Sequence, residues 1–542
     1  MQHETSASSN IDLQSEEFAA RVEANQRELT GNLRNSYDFI VCGSGSSGSV
    51  VARRLAENPA VSVLLLEAGG TDTLPEIHDA ARWLDNLGSA HDWAFKTRPN
   101  KHLNGRSLTW SMGKVLGGSS SINAMVWARG HKNDWDHFAS ESGDDGWSYR
   151  SVLEIYRRIE DWRGAPDPER RGKGGLMIVE QAFRHPVVMA ACEAAKSFGI
   201  PHFDDQNGEL METKGGVALC NVRTRDGRRL SVFRSYAYPY MDRPNLTVLT
   251  HALVTKIKFK NTRATGVEVI HDGASRSFEV GHELILSLGA IHTPKVLMQS
   301  GIGDAHDLRP FGIDVVQHLP GVGRNLQEHL LLGGCMWECA EPHPEGRSMG
   351  TLFWKSNSAI DTPDLQCIIG TAPFLSPDVS CPETTGACWS IVPGLVRPIS
   401  RGQVRLTGPD PMHPVDIDTN LLSEPADLKA AIRSVEFCRE IGNSAARSSR
   451  TTREVLPGNL SRSELENFVR NAIIPFWHYT CTAKMGRDET SVVDASLRVH
   501  GIEGLRIADG SIMPRVTTGN TMAPCVVIGE RAAAMIRKAH GV

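Results

Sequence analysis

One twelve-residue stretch, Tyr37–Gly48, constrains the fold of this chain more than any other part of it. Tyr37–Cys42 is a short run of aromatic, aliphatic and β-branched residues, which is typical of a buried parallel strand. The pattern Gly43-x-Gly45-x-x-Gly48 follows directly, and the residues after it predict a helix. Gly43 permits a tight turn, Gly45 lets the backbone approach a pyrophosphate, and Gly48 lets the helix pack closely on the strand.

A second aliphatic strand, Val61–Leu66, follows the predicted helix and ends at Glu67, nineteen residues after Gly48. The helix N-terminus offers free backbone N–H groups to phosphates, and a carboxylate at this spacing can accept hydrogen bonds from a ribose. An isolated GxGxxG pattern is weak evidence, because glycine-rich turns are common. The complete order of strand, glycines, helix, second strand and acidic residue therefore predicts dinucleotide binding.

The composition is that of a soluble globular protein. The 542 residues are 40% hydrophobic and 22% charged, and this length predicts about two to four domains. The net charge of −5 gives no reason to expect nucleic acid or an anionic membrane as a partner. We expect no transmembrane segment, because no apolar run is long enough to span a bilayer, and residues 1–18 lack the features of a secretory signal.

The 11 cysteines are scattered and include no CxxC pair, which argues against a metal site. Reduced thiols are the simpler interpretation, and they predict a cytoplasmic location.

The first 36 residues precede the nucleotide-binding strand and form an N-terminal arm. Ser15 is a candidate N-cap of a helix that extends to about Leu33, with Phe18, Val22 and Leu29 on one side. The arm packs either on the body of its own chain or on a second subunit, so a homodimer is one of the two expectations.

The rest of the chain alternates between two kinds of sequence. Leu246–Thr250 and Leu253–Phe259 alternate as paired strands do, and residues 331–475 hold several further alternating stretches that predict a second, sheet-based domain. The C-terminal part returns to the character of the first domain, with a short strand at Leu505–Ala508 and a helix at Cys525–Lys538. The nucleotide-binding domain is therefore expected to be discontinuous.

Four long motifs in a fixed order resemble those of the glucose–methanol–choline (GMC) family of FAD-dependent oxidoreductases. They are GKVLGGSSSIN at 113–123, GAIHTPKVLMQSGIG at 289–303, LPGVGRNLQEH at 319–329, and the stretch Asp509–Glu530. The resemblance extends from about Tyr37 to the C-terminus and leaves out only the arm.

The resemblance implies an α/β fold in which a Rossmann-type FAD-binding domain carries an inserted α+β substrate-binding domain with an antiparallel sheet. The FAD-binding domain would comprise residues 37–160, 215–330 and 478–542, and the substrate-binding domain residues 161–214 and 331–477. The residues that the resemblance assigns to the cofactor are Gly43, Ser44, Gly45, Ser47, Gly48, Glu67, Val115, Gly118, Asn123, Met125, Val254, Asp509 and Gly510.

The mode of FAD attachment is predicted from one position in the first motif. Some relatives tether FAD covalently through a histidine at the position that Ile122 occupies in this chain. A hydrocarbon side chain cannot form that bond, so we expect non-covalent FAD.

The segment from Phe476 to Gly486 resembles the part of the family that carries the catalytic histidine, which would be His478. A neutral imidazole can take the hydroxyl proton of an alcohol while the carbinol hydride passes to flavin N5. The second family position is Asn520, whose amide can donate a hydrogen bond to the alcohol oxygen. A helix that begins near Pro524 would direct its N-terminus at the flavin and favour negative charge there.

Trp477, beside the predicted base, favours a primary aromatic, furanic or choline-like alcohol, because an indole can stack on a ring or hold a cation. A wall with no selective role is the simpler alternative. Oxygen or another acceptor would reoxidise the flavin, and the sequence does not distinguish an oxidase from a dehydrogenase. Alternative functions are those of a sugar or other alcohol dehydrogenase, a flavin-containing hydroxynitrile lyase, a non-enzymatic flavin-binding protein and an NAD-dependent dehydrogenase.

Overall fold

The computed structural model describes residues 15–339, 348–446 and 451–542, in which helices flank two large sheets. The strands of the two sheets are, in chain order, β1 Ser36–Cys42, β2 Val63–Leu66, β3 Gly216–Leu219, β4 Leu246–Leu249, β5 Ala252–Lys260, β6 Arg263–His271, β7 Ala274–Leu286, β8 Leu330–Leu332, β9 Met336–Cys339, β10 Met349–Trp354, β11 Leu365–Gly370, β12 Cys388–Val392, β13 Gly394–Leu395, β14 Thr451–Leu456, β15 Ile473–Pro475 and β16 Leu505–Ile507. The longer helices are α1 Glu16–Gly31, α2 Gly48–Ala56, α3 Lys132–Ser142, α4 Tyr149–Ile159, α5 Pro186–Lys196, α6 Gly289–Gln299, α7 Pro425–Ala446, α8 Arg462–Ala472 and α9 Met522–His540.

The first sheet contains the predicted nucleotide-binding strand at its centre. Within the described residues it has seven strands in the order β4-β2-β1-β7-β6-β5, with β16 also paired to β7. Strand β1 runs parallel to both β2 and β7, and Phe39–Cys42 lie in register with Val63–Leu66. The side chains of both segments are fully buried, which explains why each reads as a continuous apolar run rather than an alternating one.

One expectation about strand pairing is wrong. The stretches expected to pair with each other, Leu246–Thr250 and Leu253–Phe259, do not do so. Strand β4 lies parallel to β2 at the edge of the sheet, whereas β5 forms an antiparallel hairpin with β6. Alternation reports which face of a strand is buried and carries no information about which neighbour satisfies its backbone.

The second sheet is antiparallel throughout its described strands. Its nine strands follow the order β14-β9-β12-β11-β13-β8-β15, with β10 paired to β11 and β3 paired to β10. The fold class expected from the sequence, a Rossmann-type α/β domain with an inserted domain on an antiparallel sheet, is confirmed. The domain boundaries stay a prediction, and β3, which they assign to the first domain, is hydrogen-bonded in the second sheet.

The N-terminal arm packs on its own chain. Ser15 caps α1 by accepting a hydrogen bond from the backbone N–H of Phe18. Phe18 and Val22 are buried, and the Gln26 amide bonds the backbone around β4, where Leu246 O and Val248 N are its partners. Residues 1–14 of the arm lie outside the described residues, and a homodimer remains a prediction.

The described residues also bear on membranes and metals. None of the helices in these ranges has the length and apolar character needed to cross a membrane. In the same ranges, no cluster of three or more His, Cys, Asp or Glu side chains could hold a metal ion, and no disulfide bond forms.

Candidate active site

A large cavity of about 930 Å³ extends from the glycine turn after β1 to the segment that follows β15. Most of the residues assigned from the sequence line it: Gly43, Gly45, Ser47, Glu67, Gly118, Asn123, Met125, Val254, Trp477, His478, Asp509, Gly510 and Asn520. Three others, Ser44, Gly48 and Val115, lie behind the wall rather than in it. The cavity therefore brings the predicted nucleotide and catalytic residues to one place.

The three motif glycines differ in what their missing side chains would meet. Gly43 has a φ of +99°, and a Cβ there would lie 2.4 Å from the carbonyl oxygen of Ser287. A Cβ on Gly48 would lie 1.9 Å from the carbonyl oxygen of Gly43, so this glycine serves the packing of α2 on β1. A Cβ on Gly45 would meet no protein atom within 4 Å and would project into open cavity. Gly45 is thus the point at which a ligand can touch the backbone.

Glu67 directly follows β2 and lies buried at the cavity wall. Its carboxylate accepts hydrogen bonds from the backbone N–H of Gly69 at 2.9 Å and from the Ser44 hydroxyl at 2.7 Å. Burial raises the pKa of Glu67 above its ordinary value, and these hydrogen bonds oppose the increase. Ser44 therefore acts behind the wall by orienting the carboxylate that can accept a ribose hydroxyl.

The residues present fit a bound dinucleotide. No lysine or arginine is among the described residues of the cavity wall, so a pyrophosphate there would be held by backbone N–H groups and the N-terminus of α2. The volume of about 930 Å³ lies near the upper end of the roughly 300–1,000 Å³ that is typical of ligand and cofactor sites. The open space at Gly45 leaves room for the pyrophosphate of a dinucleotide such as FAD to approach the backbone.

The loop of the first family motif forms another part of the wall. Asn123 and Met125 face the cavity, and the backbone of Met125 has a φ of +60°. Val115 is fully buried and packs with Ile77 and Ile122, so its contribution is to support the loop from behind. Ile122 also lines the cavity.

Asp509 closes the opposite side of the nucleotide region. Its buried carboxylate accepts hydrogen bonds from the Thr293 hydroxyl at 2.6 Å and from the backbone N–H of Gly289 at 2.9 Å. Burial raises the pKa of Asp509. The contacts fix this acid on the first turn of α6, next to Gly510 in the cavity wall.

His478 and Asn520 meet at the end of the cavity formed by the second sheet. Asn520 Nδ2 lies 3.2 Å from His478 Nε2, and Asn520 Oδ1 accepts a hydrogen bond from Gln366 Nε2 at 3.2 Å. Because Asn520 Oδ1 already accepts the hydrogen bond from Gln366, the NH₂ group of Asn520 is the one that faces the imidazole. His478 Nε2 is therefore the acceptor nitrogen, with its lone pair at the cavity wall.

The other ring nitrogen of His478 contacts a second histidine. His329 Nδ1 lies 3.0 Å from His478 Nδ1, which carries the proton in the tautomer set by Asn520. Burial lowers the pKa of His329 to about 3 and holds the pKa of His478 well below 6.5, with the neighbouring His329 as the second cause. Both rings are thus neutral near neutral pH.

Glu328 holds the backbone of the histidine segment. Its buried carboxyl group accepts the backbone N–H of His478 at 2.9 Å, and burial raises its pKa well above the ordinary value. Glu328, His329 and Gln366 were not singled out from the sequence. Glu328 and His329 are the last two residues of the third family motif and directly precede the apolar strand β8. Two titratable residues next to a buried strand were the signal that could have identified them.

An apolar surface lies beside His478. The cavity floor, as we call it here, consists of Leu331, Ile368, Phe374, Val392 and Phe476. On β11 and β12 the floor residues alternate with Ile369 and Ile391, which enter the core on the other face. Trp477 forms a further side of this region, has a φ of +60°, and meets Trp83 edge-on at 6.2 Å.

Comparisons with known proteins identify the family of this chain. Models of the GMC oxidoreductase family match residues 37–331 and 398–529. The chain is 36% identical to the mitochondrial choline dehydrogenase of Mus musculus, over 93% of this chain and 90% of that protein. It is also 36% identical to the oxygen-dependent choline dehydrogenase of Stenotrophomonas maltophilia strain R551-3, over 93% and 95% of the two chains.

A solved structure with a similar fold is that of a pyridoxine 4-oxidase from Mesorbium loti, with a TM-score of 0.87 and 32% identity over 94% of this chain and all of that one. The two family models together match well over half of the chain, and the curated relatives match nearly all of it. The chain therefore belongs to the GMC oxidoreductase family and is an alcohol oxidoreductase that acts on CH–OH groups.

Proposed function

We propose that this protein binds FAD non-covalently and oxidises a primary alcohol to the aldehyde, with His478 as the base. The observation that carries the proposal is the orientation of His478, whose acceptor nitrogen Nε2 lies at the cavity wall 3.2 Å from Asn520 Nδ2. GMC oxidoreductases bind FAD, and the open space at Gly45 supports its binding here. When bound, FAD supplies the acceptor for the carbinol hydride.

His478 takes the hydroxyl proton at Nε2. Because burial keeps its pKa well below 6.5, the imidazole is neutral and ready to accept at neutral pH. In the structure Asn520 Nδ2 donates to His478 Nε2; a bound alcohol would take the place of that contact, with its hydroxyl at Nε2 and its oxygen accepting from Asn520 Nδ2 as it becomes more negative. Gln366 keeps the amide in that orientation, and Glu328 fixes the backbone from which His478 projects.

Non-covalent attachment is supported by Ile122. Its side chain lies in the cavity wall, where some relatives carry the histidine that bonds to FAD, and a hydrocarbon side chain offers no nucleophile.

The cavity floor favours an alcohol with an apolar or aromatic body. Its five residues are hydrocarbon or aromatic, and Trp477 adds an indole face beside the base. One relative is a choline dehydrogenase and another is a pyridoxine 4-oxidase, so both a cationic and an aromatic alcohol are candidate substrates. Oxygen or another electron acceptor would reoxidise the flavin. We place the protein in the cytoplasm.

The proposal is tested by anaerobic flavin bleaching. The purified protein is mixed with benzyl alcohol, hydroxymethylfurfural, choline, glucose or a medium-chain primary alcohol, and is then exposed to air. Bleaching by one member identifies the substrate class, and rapid recovery with peroxide marks an oxidase. A protein without flavin refutes the proposal, while cyanide release from a cyanohydrin without bleaching would indicate a lyase.

Two variants assign the roles. Replacing His478 with alanine removes the base, which commonly contributes about 10²–10⁴-fold, and should abolish most flavin reduction while leaving FAD bound. Asn520→Ala loses one directed hydrogen bond and should cost about 10–10³-fold. A larger loss in the Asn520 variant than in the His478 variant would contradict these roles.

A further inference from the structure

An arginine-rich hairpin that the proposed reaction does not use lies at the cavity wall, to which its Thr224 and Gly227 contribute. Thr224–Arg225 pairs with Arg228–Arg229 across a tight turn at Asp226 and Gly227, both of which have positive φ. An Asp-Gly pair is the sequence that such a turn favours. Arg229 points inward from the second strand and is only 3% exposed.

Arg229 is a buried cation that no carboxylate in the described part of the chain neutralises. Within the described residues its guanidinium bonds only oxygens of uncharged groups: Ile77 O at 2.9 Å, Asn123 Oδ1 at 2.8 Å and Ser120 O at 3.4 Å. The nitrogen Nη2 is buried and makes no hydrogen bond. Burial lowers the pKa of Arg229 to about 9, so the group remains charged at neutral pH. Burying a positive charge without a partner lowers the stability of the fold, and a negative charge nearby offsets that cost.

The contact with Asn123 fixes the orientation of an amide in the cavity wall. Asn123 Oδ1 accepts from Arg229 and also from the backbone N–H of Met125 at 2.9 Å. The NH₂ group of Asn123 is therefore turned toward Met522, whose sulfur lies 3.2 Å away in the cavity wall at the start of α9. The wall thus presents a directed N–H donor, polarised from behind by a full positive charge and flanked by a helix N-terminus.

We propose that Arg229 is a positioning residue that makes this part of the cavity a site for negative charge and thereby favours the reduced, anionic ring of the bound flavin. The inference rests on the proposed function, because it requires FAD in this cavity. Arg229 acts through Asn123 and through its uncompensated charge, and it touches neither the alcohol nor His478. The structure assigns to it control of how readily the cofactor takes up electrons.

The test is the reduction midpoint of the flavin in the holoenzyme, measured with a reference dye in wild type and variants. Arg229→Met removes the positive charge and the charge-assisted hydrogen bond to Asn123 Oδ1. At the solution potential that half-reduces the wild type, the ratio of reduced to oxidised flavin should fall about tenfold, equivalent to ~1.4 kcal/mol. Arg229→Lys retains the charge and should stay within about threefold of wild type.

Arg223→Met is the matched control. Arg223 belongs to the same segment, is also buried with its pKa lowered to about 9, and bonds Leu230 O and Ser235 Oγ instead of Asn123. Its replacement should change the ratio by less than about twofold, because its side chain bonds Met177, Leu230 and Ser235 and no residue of the cavity wall. If Arg229→Met does not accumulate, Arg229→Gln removes the same charge and replaces it in the comparison.

An unchanged ratio in the Arg229 variant, or an equal fall in the Arg223 variant, would overturn the inference. Flavin content and its visible spectrum are recorded for every variant, so that a loss of cofactor is not mistaken for a change in potential. A wild-type protein without flavin would refute the proposed function itself. A flavin that is present and indifferent to Arg229 refutes only this inference.

Discussion

A single methyl group at Gly45 should separate cofactor binding from folding. In Gly45→Ala the new Cβ has no protein atom within 4 Å, so we expect the free energy of unfolding of the apoprotein to stay within about 0.5 kcal/mol of wild type. The methyl group would occupy the space in which a pyrophosphate approaches the backbone. Overpacking of this kind costs about 1–3 kcal/mol, which corresponds to an increase in the FAD dissociation constant of about 5- to 150-fold.

The assay is a titration of apoprotein with FAD, followed by flavin fluorescence, together with urea unfolding. Gly48→Ala is the control, since its Cβ would lie 1.9 Å from the carbonyl oxygen of Gly43. Relief of that overlap requires the backbone to move, so this variant should lose about 1–3 kcal/mol of stability or more. The reasoning fails if Gly45→Ala binds FAD as wild type does, or if it is destabilised as much as Gly48→Ala.

Three other predictions concern the base, the cofactor link and the arm. Because burial holds the pKa of His478 well below 6.5, protonation should inactivate the base only in more acidic solution, and kcat/KM should show no acidic limb near or above pH 6.5; a limb there would contradict the assignment. Acid precipitation should leave all flavin in the supernatant, whereas colour in the pellet would show a covalent link despite Ile122. Gln26→Ala leaves the buried backbone groups Leu246 O and Val248 N without this hydrogen-bond partner and should lower the free energy of unfolding, measured in urea, by about 1–3 kcal/mol. As a control, replacing the exposed Arg27 with alanine should change it by less than about 0.5 kcal/mol.

The parts of the fold that the sequence predicted depend on neighbours along the chain. The turn at Gly43, the helix after Gly48 and the acid at Glu67 lie within one unit of about 30 residues, where spacing alone decides the geometry. The pairing of Leu246–Leu249 depends instead on a strand about 180 residues away, and no local pattern encodes it. The same reason explains why β3 could not be assigned to the second sheet.

The candidate site divides in the same way. His478 and Asn520 were predicted because each lies in a segment that resembles a motif of the family, and the assignment of their roles stays a prediction. The groups that set their orientation come from elsewhere: His329 lies 149 positions before His478, and Gln366 lies 154 before Asn520. Gln366 sits within an ordinary alternating strand, so its role as a hydrogen-bond donor to the amide emerges only from the assembled fold.

The period-two arrangement of β11 and β12 has a consequence for how this protein could acquire new specificities. Ile368 and Val392 face the cavity, while their neighbours Ile369 and Ile391 belong to the core on the opposite face of the sheet. A substitution at Ile368 or Val392 changes the shape of the cavity and leaves the packing on the opposite face of the sheet in place. The reacting groups project from segments outside these two strands. Variation in selectivity at Ile368 and Val392 is thus separated from the core on the other face of the sheet, which makes these two positions the natural targets for directed evolution toward other alcohols.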